Sequence, residues 1–267
     1  MKNVLLIVHD DAGQEARLQA ALDVTRALDG HLTCLDVTIM PALVGDYYSA
    51  AGEAMLLADE RVREATNREH LEARLSHEDV SWNWLDATGD IAPCVKAAAG
   101  MADLIVTNRK LDACPVPDMR TAASEIVVKC GRPILAVPED ARRFDPTGPA
   151  LIAWDGSACA MAALRAAVPL LSQSQSVLLL EIEDGSIDTP AEDAAMYLSR
   201  HGIPAVIRRE DCMDRRPADI LLDQARTRQF ACVVMGGFGH SRLTEALFGG
   251  ATRKMLSESP IPVFLAH

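Results

Sequence analysis

Short apolar runs alternate along the chain with segments of helical spacing. The continuous runs Val4–Val8, Leu32–Val37 and Leu151–Trp154 are too short for helices and predict buried strands. Between the first two runs, Leu18–Leu28 carries apolar residues at three- and four-residue intervals, which predicts an amphipathic helix ending near a C-cap at Gly30. Short buried strands that alternate with helices are typical of a parallel sheet made of right-handed βαβ units.

The same order of elements occurs twice. Asp10 and Asp155 each follow a first strand and lie 145 positions apart, as do the second strands Leu32–Val37 and Val177–Ile182. Segments around the last two strands of each copy keep an offset of 129 instead. Two constant offsets separated by one deletion indicate a tandem repeat with a shorter second copy.

The deletion falls between the second and fourth strands. There the first copy has a long charged helix candidate, Glu53–His77, and the second copy a shorter one, Pro190–Arg200. We interpret the charges of the long helix as a solvated face with i,i+4 pairs such as Glu64 with Arg68.

The two copies join at Glu139–Pro149, whose prolines, glycine and charges are typical of a linker. We therefore predict two α/β domains of five strands each, 1–140 and 149–267. Ligands of such open sheets bind at the carboxyl ends of the strands.

Composition narrows the classes of partner. The net charge of −12 argues against nucleic acid or an anionic membrane, since both require a basic face, but it permits a small anion. No apolar run approaches the roughly 20 residues of a membrane helix, and no secretory leader is recognisable, so we expect a cytoplasmic protein. The seven cysteines form no CxxC pair and no metal-ligand spacing, which favours reduced thiols and no metal site.

The second copy carries a glycine loop after its fourth strand. Gly236 and Gly239 form G-x-x-G, and Gly249 and Gly250 directly precede a predicted helix that starts at Ala251. Glycines let successive backbone amides turn inward, and a helix N-terminus adds unpaired amides and a positive dipole end. This pattern favours the binding of a phosphate chain.

These residues resemble the universal stress protein family. Its nucleotide-binding members carry G-2x-G-9x-G-[S/T] at this place and an Asp at the end of the first strand, often as Asp-Gly-Ser. The chain has Asp155-Gly156-Ser157, the same spacing from Gly236 to Gly249, and a similar last strand in Pro260–Leu265. The resemblance covers both copies and implies a five-stranded parallel sheet in each, with edge strands paired across a pseudo-twofold.

The resemblance also implies a site for ATP or another adenine nucleotide, with Mg²⁺ on the phosphates. The first-strand Asp and the end of the second strand would hold the nucleoside, and the glycine loop the phosphates. The cofactor-binding positions implied are Asp155, Ile182, Gly236, Gly239, His240, Ser241, Arg242, Gly249, Gly250, Ala251 and Thr252. No residue is assigned a catalytic or metal-ligating role.

Two departures bear on this site. Gly250 replaces the Ser or Thr of the pattern, and one hydrogen bond to phosphate is worth about 1.5–3 kcal/mol, or roughly ten- to a hundredfold in affinity. Thr252 would replace part of it. The first copy keeps Asp10 but has Thr107–Lys110 in place of the first glycines, so we expect a structural partner there, or an anion held by Arg109 and Lys110.

The leading hypothesis is a stress-response binding and regulatory protein, not an enzyme, with one nucleotide site in the second copy. A scaffold that binds another small ligand or a protein stays open, as does a slow ATPase, although no Walker A lysine or catalytic base is evident. Simpler roles also stay open: Asp155 could serve only as a helix cap, and Gly236 and Gly239 only as a tight turn. Pairing of the edge strands within one chain would suffice for a monomer, and a further homodimer stays open.

Overall fold

A computed structural model describes residues 1–38, 50–109, 122–183, 185, 187–213, 215–227, 229–237 and 250–267. The first half contains β1 (Asn3–Val8), α1 (Gln14–Ala27), β2 (His31–Thr38), α2 (Ala50–Leu75), β3 (Ser81–Thr88), α3 (Ile91–Ala98), a 3-10 turn (Ala99–Met101), β4 (Leu104–Asn108), α4 (Ala122–Cys130) and β5 (Ile134–Val137). The second half contains β6 (Ala150–Trp154), α5 (Ala158–Leu171), β7 (Val177–Glu183), α6 (Ala191–Arg200), β8 (Ala205–Asp211), α7 (Pro217–Arg226), β9 (Cys232–Gly236), α8 (Ala251–Glu258) and β10 (Val263–Ala266).

These strands form one continuous sheet in the order β3-β2-β1-β4-β5-β10-β9-β6-β7-β8. Neighbours within each half are parallel, whereas β5 and β10 pair antiparallel with Leu135 opposite Phe264. Since these two residues are 129 positions apart, equivalent points of the repeat meet at the junction. The predicted α/β fold with edge strands paired across a pseudo-twofold is therefore confirmed.

Helices cover both faces of the sheet. One buried apolar cluster joins the sheet to α1, α2, α5 and α6, and the other joins it to α3, α4, α7 and α8. Because water reaches neither face of the central strands, they are apolar at every position, as in Val4–Val8 and Ile134–Val137. Among the described residues, no helix combines the length and the apolar character that crossing a bilayer requires.

The end of α1 differs in one detail from the prediction. The left-handed residue is Asp29, with φ 46°, and the N–H of Gly30 donates to the Thr25 carbonyl at 2.8 Å. Gly30 is required for another reason, because a Cβ there would stand 2.7 Å from the carbonyl oxygen of Lys2.

The segment between the halves is packed and not a loose tether. Phe144 is buried in the core, and its N–H donates to Asp23 Oδ2 of α1 at 3.0 Å. Three residues later the Thr147 carbonyl accepts from the N–H of Gln175 at 2.8 Å. The linker composition therefore marks the junction, but it does not make the junction independent of the core.

Cys34 and Cys232 are the two fully buried thiols among the described cysteines. Burial raises the pKa of each to about 12. Both thiols therefore pack as small apolar groups at neutral pH.

Candidate functional site

The loop after β6 caps the following helix. Ser157, not Asp155, is the N-cap of α5, and its Oγ accepts from the N–H of Ala160 at 3.2 Å. Asp155 Oδ1 accepts from the N–H of Ser157 at 2.9 Å. The carboxylate of Asp155 thus orders the loop that presents the N-terminus of α5.

Gly156 lies under the segment that follows β7. Its φ is +71°, and a Cβ there would stand 2.1 Å from the backbone nitrogen of Thr189. The indole N–H of Trp154 donates to the Thr189 carbonyl at 2.8 Å, and the N–H of Asp188 donates to the Asp155 carbonyl at 3.1 Å. Residues 187–190 therefore cover the end of β6, and this close approach requires glycine.

Gly236 joins the starts of two helices. A Cβ on Gly236 would stand 2.7 Å from the backbone nitrogen of Ala160, in the first turn of α5. From the other side, the Thr252 hydroxyl, in the first turn of α8, donates to the Gly236 carbonyl at 3.4 Å. Gly250 is the N-cap of α8 and makes no side-chain cap. The N-termini of α5 and α8 therefore converge on the end of β9, which favours an anion.

The remaining predicted positions are placed as follows. Ile182 is buried in the same apolar cluster as Leu221 of α7, and Ala251 is the first residue of α8. The predicted positions that lie outside the described residues are Gly239, His240, Ser241, Arg242 and Gly249.

Strand register changes the correspondence between the halves. Val8 pairs with Asp36 at the end of β1, and Trp154 pairs with Glu181 at the end of β6. The residue that follows each strand is then His9 in the first half and Asp155 in the second. His9, not Asp10, therefore stands where the second half has its first-strand aspartate.

His9 lies in a buried contact with an acid of α2. Its Nδ1 lies 2.6 Å from Glu64 Oε1 of α2, and both side chains are almost fully buried. The predicted pairing of Glu64 with Arg68 is therefore wrong: Arg68 is half-buried and pairs instead with Glu72 at 2.7 Å and Asp86 at 3.0 Å. Glu64 lies on the buried face of α2 and packs over His9 at the carboxyl end of β1.

Asp36, the last residue of β2 to pair with β1, adds a second acid near this pair. It is buried, and its Oδ1 has no hydrogen-bond partner. Burial, with repulsion from Glu64 and Asp86, raises the pKa of Asp36 to about 7. Attraction from His9 opposes this shift. Asp36 is thus an acid that can exchange a proton near neutral pH.

Arg17 fills the space beside β1 and β4. It is fully buried, and its guanidinium donates to the carbonyls of Ile7 at 2.7 Å and His9 at 2.5 Å. It also donates to Asp11 Oδ1 at 2.7 Å and to Asn108 Oδ1 at 2.5 Å. The same register makes Asn108 of the first half equivalent to Gly236 of the second. A polar side chain bound to Arg17 therefore occupies the position of the first loop glycine.

Arg109 connects the halves. Its Nη1 donates to the carbonyl of Leu256, in the last turn of α8, at 3.1 Å, and burial lowers its pKa. The hypothesis that Arg109 offers its charge to an anion is weakened, since part of the guanidinium is already bound. Lys110, its predicted companion, lies outside the described residues.

Sequence reasoning missed this first-half cluster. Across the part of the chain that the structure describes, the buried side-chain polar atoms without a hydrogen bond all lie in the first half, on His9, Asp11, Asp36, Glu64, Thr107 and Arg109. A signal was present: Glu64, Asn67 and Leu71 follow helical spacing, which places Glu64 on the buried face of α2. No group of three or more potential metal ligands occurs among the described residues.

Comparison with known proteins agrees with this architecture. The model of the universal stress protein family matches residues 147–267. A universal stress protein structure from Archaeoglobus fulgidus shares 14% identity at a TM-score of 0.75, covering 99% of this chain and 95% of that chain. A functionally unknown protein from Pseudomonas aeruginosa shares 16% identity at a TM-score of 0.61, covering 99% and 92%. No curated protein matches the chain. At these identities the structural likeness shows the fold alone.

Proposed function

We propose that the chain is a cytoplasmic stress-response binding protein of the universal stress protein family, whose model matches residues 147–267, with one adenine nucleotide site in its second half. The nucleotide would lie at the carboxyl edge of β6 and β9, with its phosphates on the amides of Gly236 and the first turn of α8. Asp155 would contact the nucleoside. The chain would act by ligand-dependent contacts with partners and not by catalysis.

The observation that carries this proposal is the convergence of two helix N-termini on Gly236. The backbone of α5 comes so close to Gly236 that a side chain is excluded, and Thr252 of α8 is hydrogen-bonded to it. Backbone amides at two helix starts supply partial positive charge without a basic side chain, so the overall charge of −12 does not oppose a phosphate here.

The first half is a poor nucleotide site for a physical reason. Where the second half has Gly236, the first half has Asn108, held by the buried Arg17. Glu64 adds a buried acidic group at this edge, which does not favour a phosphate. We therefore expect one nucleotide per chain and not two.

A Gly250→Ser substitution tests the phosphate end. Gly250 has φ −50° and ψ 145°, which serine adopts without strain, and serine restores the hydroxyl of the family pattern. We expect calorimetric titration with MgATP to show one site per chain and an affinity roughly ten- to a hundredfold higher in the variant. Gly100→Ser, at a position where a Cβ would meet no heavy atom within 4 Å, is the matched control and should leave the affinity unchanged.

Unchanged affinity in Gly250→Ser would place the phosphates elsewhere. The scaffold alternative is favoured by one observation: residues 187–190 already lie over the end of β6, where the nucleoside would sit. It predicts no heat of binding with ATP or ADP in either protein, and an Asp155→Ala variant identical to the parent.

A further inference from the structure

A cavity lies at the amino ends of the central strands, under the junction between the halves. Its volume is about 630 Å³. Pro149, Ala231 and Pro262 on its wall directly precede the starts of β6, β9 and β10, so it opens at the amino ends of these strands. The candidate nucleotide site is at their carboxyl ends, and the two sites are therefore separated by the length of the strands.

The wall of this cavity is held by backbone hydrogen bonds. The N–H of Ala231 donates to the Pro149 carbonyl at 2.7 Å, and the N–H of Val233 donates to the Pro262 carbonyl at 3.0 Å. Gly148 packs so closely that a Cβ would stand 2.9 Å from the Cβ of Ala231. The cavity is thus formed before any ligand arrives, which lowers the cost of binding.

Two consecutive arginines supply its positive charge. Arg142 and Arg143 line the cavity, are exposed, and form no ion pair or hydrogen bond with the described residues. Their backbone is fixed on both sides, because the N–H of Ala141 donates to the Pro138 carbonyl and Phe144 is buried. Both guanidinium groups keep their donors available for a ligand.

Two acids, Asp140 and Asp145, also line the cavity, but neither forms an ion pair or hydrogen bond with Arg142 or Arg143 among the described residues. Asp145 Oδ1 accepts from the hydroxyl of Thr147 at 2.8 Å and from its N–H at 3.0 Å, and these bonds, more than attraction from Arg143, hold the pKa of Asp145 below its usual range. Asp140 also attracts the guanidinium of Arg109, and this attraction partly offsets the lowering of the Arg109 pKa by burial. The remaining lining is largely apolar and includes Phe230, Ile261 and the prolines.

We propose that this cavity binds a small amphipathic carboxylate, with an acyl or aryl body against Phe230 and Ile261 and its carboxylate on Arg142 and Arg143. The planar guanidinium fork matches a carboxylate with two parallel hydrogen bonds. The volume lies in the range of small-molecule sites, roughly 300–1,000 Å³. A protein with this second site would respond to an organic acid independently of a nucleotide.

The test uses the full chain, anilinonaphthalene sulfonate as a fluorescent probe, and displacement by decanoate. We expect saturable probe fluorescence that decanoate abolishes and that decanol, which has the same body without the charge, does not. The double variant Arg142→Gln/Arg143→Gln should weaken both ligands about tenfold or more, as expected for lost hydrogen bonds to a charged group. Arg165→Gln, which removes an exposed arginine of α5, should bind as the parent does.

Three results would overturn the proposal: parental affinity in the double variant, equal displacement by decanol, or displacement of the probe by saturating MgATP. The third result would mean that the probe and the nucleotide share a site. Failure of ATP to bind anywhere would refute the nucleotide proposal and leave the expected decanoate results unchanged, so the two proposals fail separately.

Discussion

At the scale of single residues, Asp36 is an acid that the fold stabilises in its protonated form. It is buried beside Glu64 and Asp86, with Oδ1 unbonded, and these surroundings penalise its negative charge. Two groups of opposite charge, His9 and Arg68, offset the penalty only in part.

We therefore predict that Asp36→Asn changes the pH dependence of stability. The folded protein holds the proton of Asp36 up to about pH 7, whereas the unfolded chain releases it near 3.8. The contribution of Asp36 is complete below 3.8 and is lost as pH rises to 7, at about 1.4 kcal/mol per pH unit. Asn has no proton to lose, so the variant should gain stability relative to the parent over this window.

Urea unfolding at pH 4.5, 6 and 8 measures this difference. The control is Asp10→Asn, which removes an exposed acid from the loop after β1 and should leave a constant difference from the parent. A constant difference for Asp36→Asn as well would mean that Asp36 is ionised throughout.

At the scale of elements, the contact of residues 187–190 with the β6–α5 loop depends on one glycine. Gly156 combines a left-handed φ with a Cβ direction that meets the Thr189 backbone. Gly202 has nearly the same φ, +75°, but faces open space. Alanine substitutions at the two positions therefore distinguish the cost of backbone strain from the cost of overpacking.

We predict that Gly202→Ala lowers the free energy of unfolding by about 1–2 kcal/mol, the cost of the left-handed conformation. Gly156→Ala should lower it by that amount and about 1–3 kcal/mol more, because residues 187–190 must also move. Denaturant midpoints at constant m-value measure both. Equal losses in the two variants would show that the contact with Thr189 adds nothing.

Elements were also the scale at which the sequence was most informative. Strand and helix positions followed from apolar runs, since both faces of the sheet are covered and the strands cannot alternate. The His9–Glu64 pair was missed because α2 carries charges on several sides. From the sequence alone such a helix is interpreted as exposed to solvent, since its buried face is not known. The equivalence of His9 with Asp155 could be found only from the strand register. The two diverged repeats differ by one residue here, and sequence alignment alone does not show this difference.

At the scale of the molecule, one sheet and a packed junction join the two halves. The ladder between β5 and β10 lies at the centre of the sheet, and Phe144 of the linker is buried in the core and hydrogen-bonded to α1. If the halves were separated, β5 and β10 would each become an unpaired edge strand.

We predict that the halves unfold together. Trp82 and Trp84 report on the first half and Trp154 on the second. In Trp154→Phe, and separately in Trp82→Phe/Trp84→Phe, the fluorescence transition in urea should coincide with the far-UV circular dichroism transition of the same variant. A fluorescence midpoint displaced from the dichroism midpoint in either variant would mean that one half unfolds alone.

The hydrogen bond from Arg109 to Leu256 makes the junction between the halves asymmetric. Its counterpart across the pseudo-twofold would start at Gly237, which has no side chain and cannot donate the equivalent bond. The first half therefore holds the last turn of α8, the helix whose N-terminus would bind the phosphates, while the second half does not return this contact. A pair assembled from two copies of the second half would lack this side-chain bond at both equivalent positions.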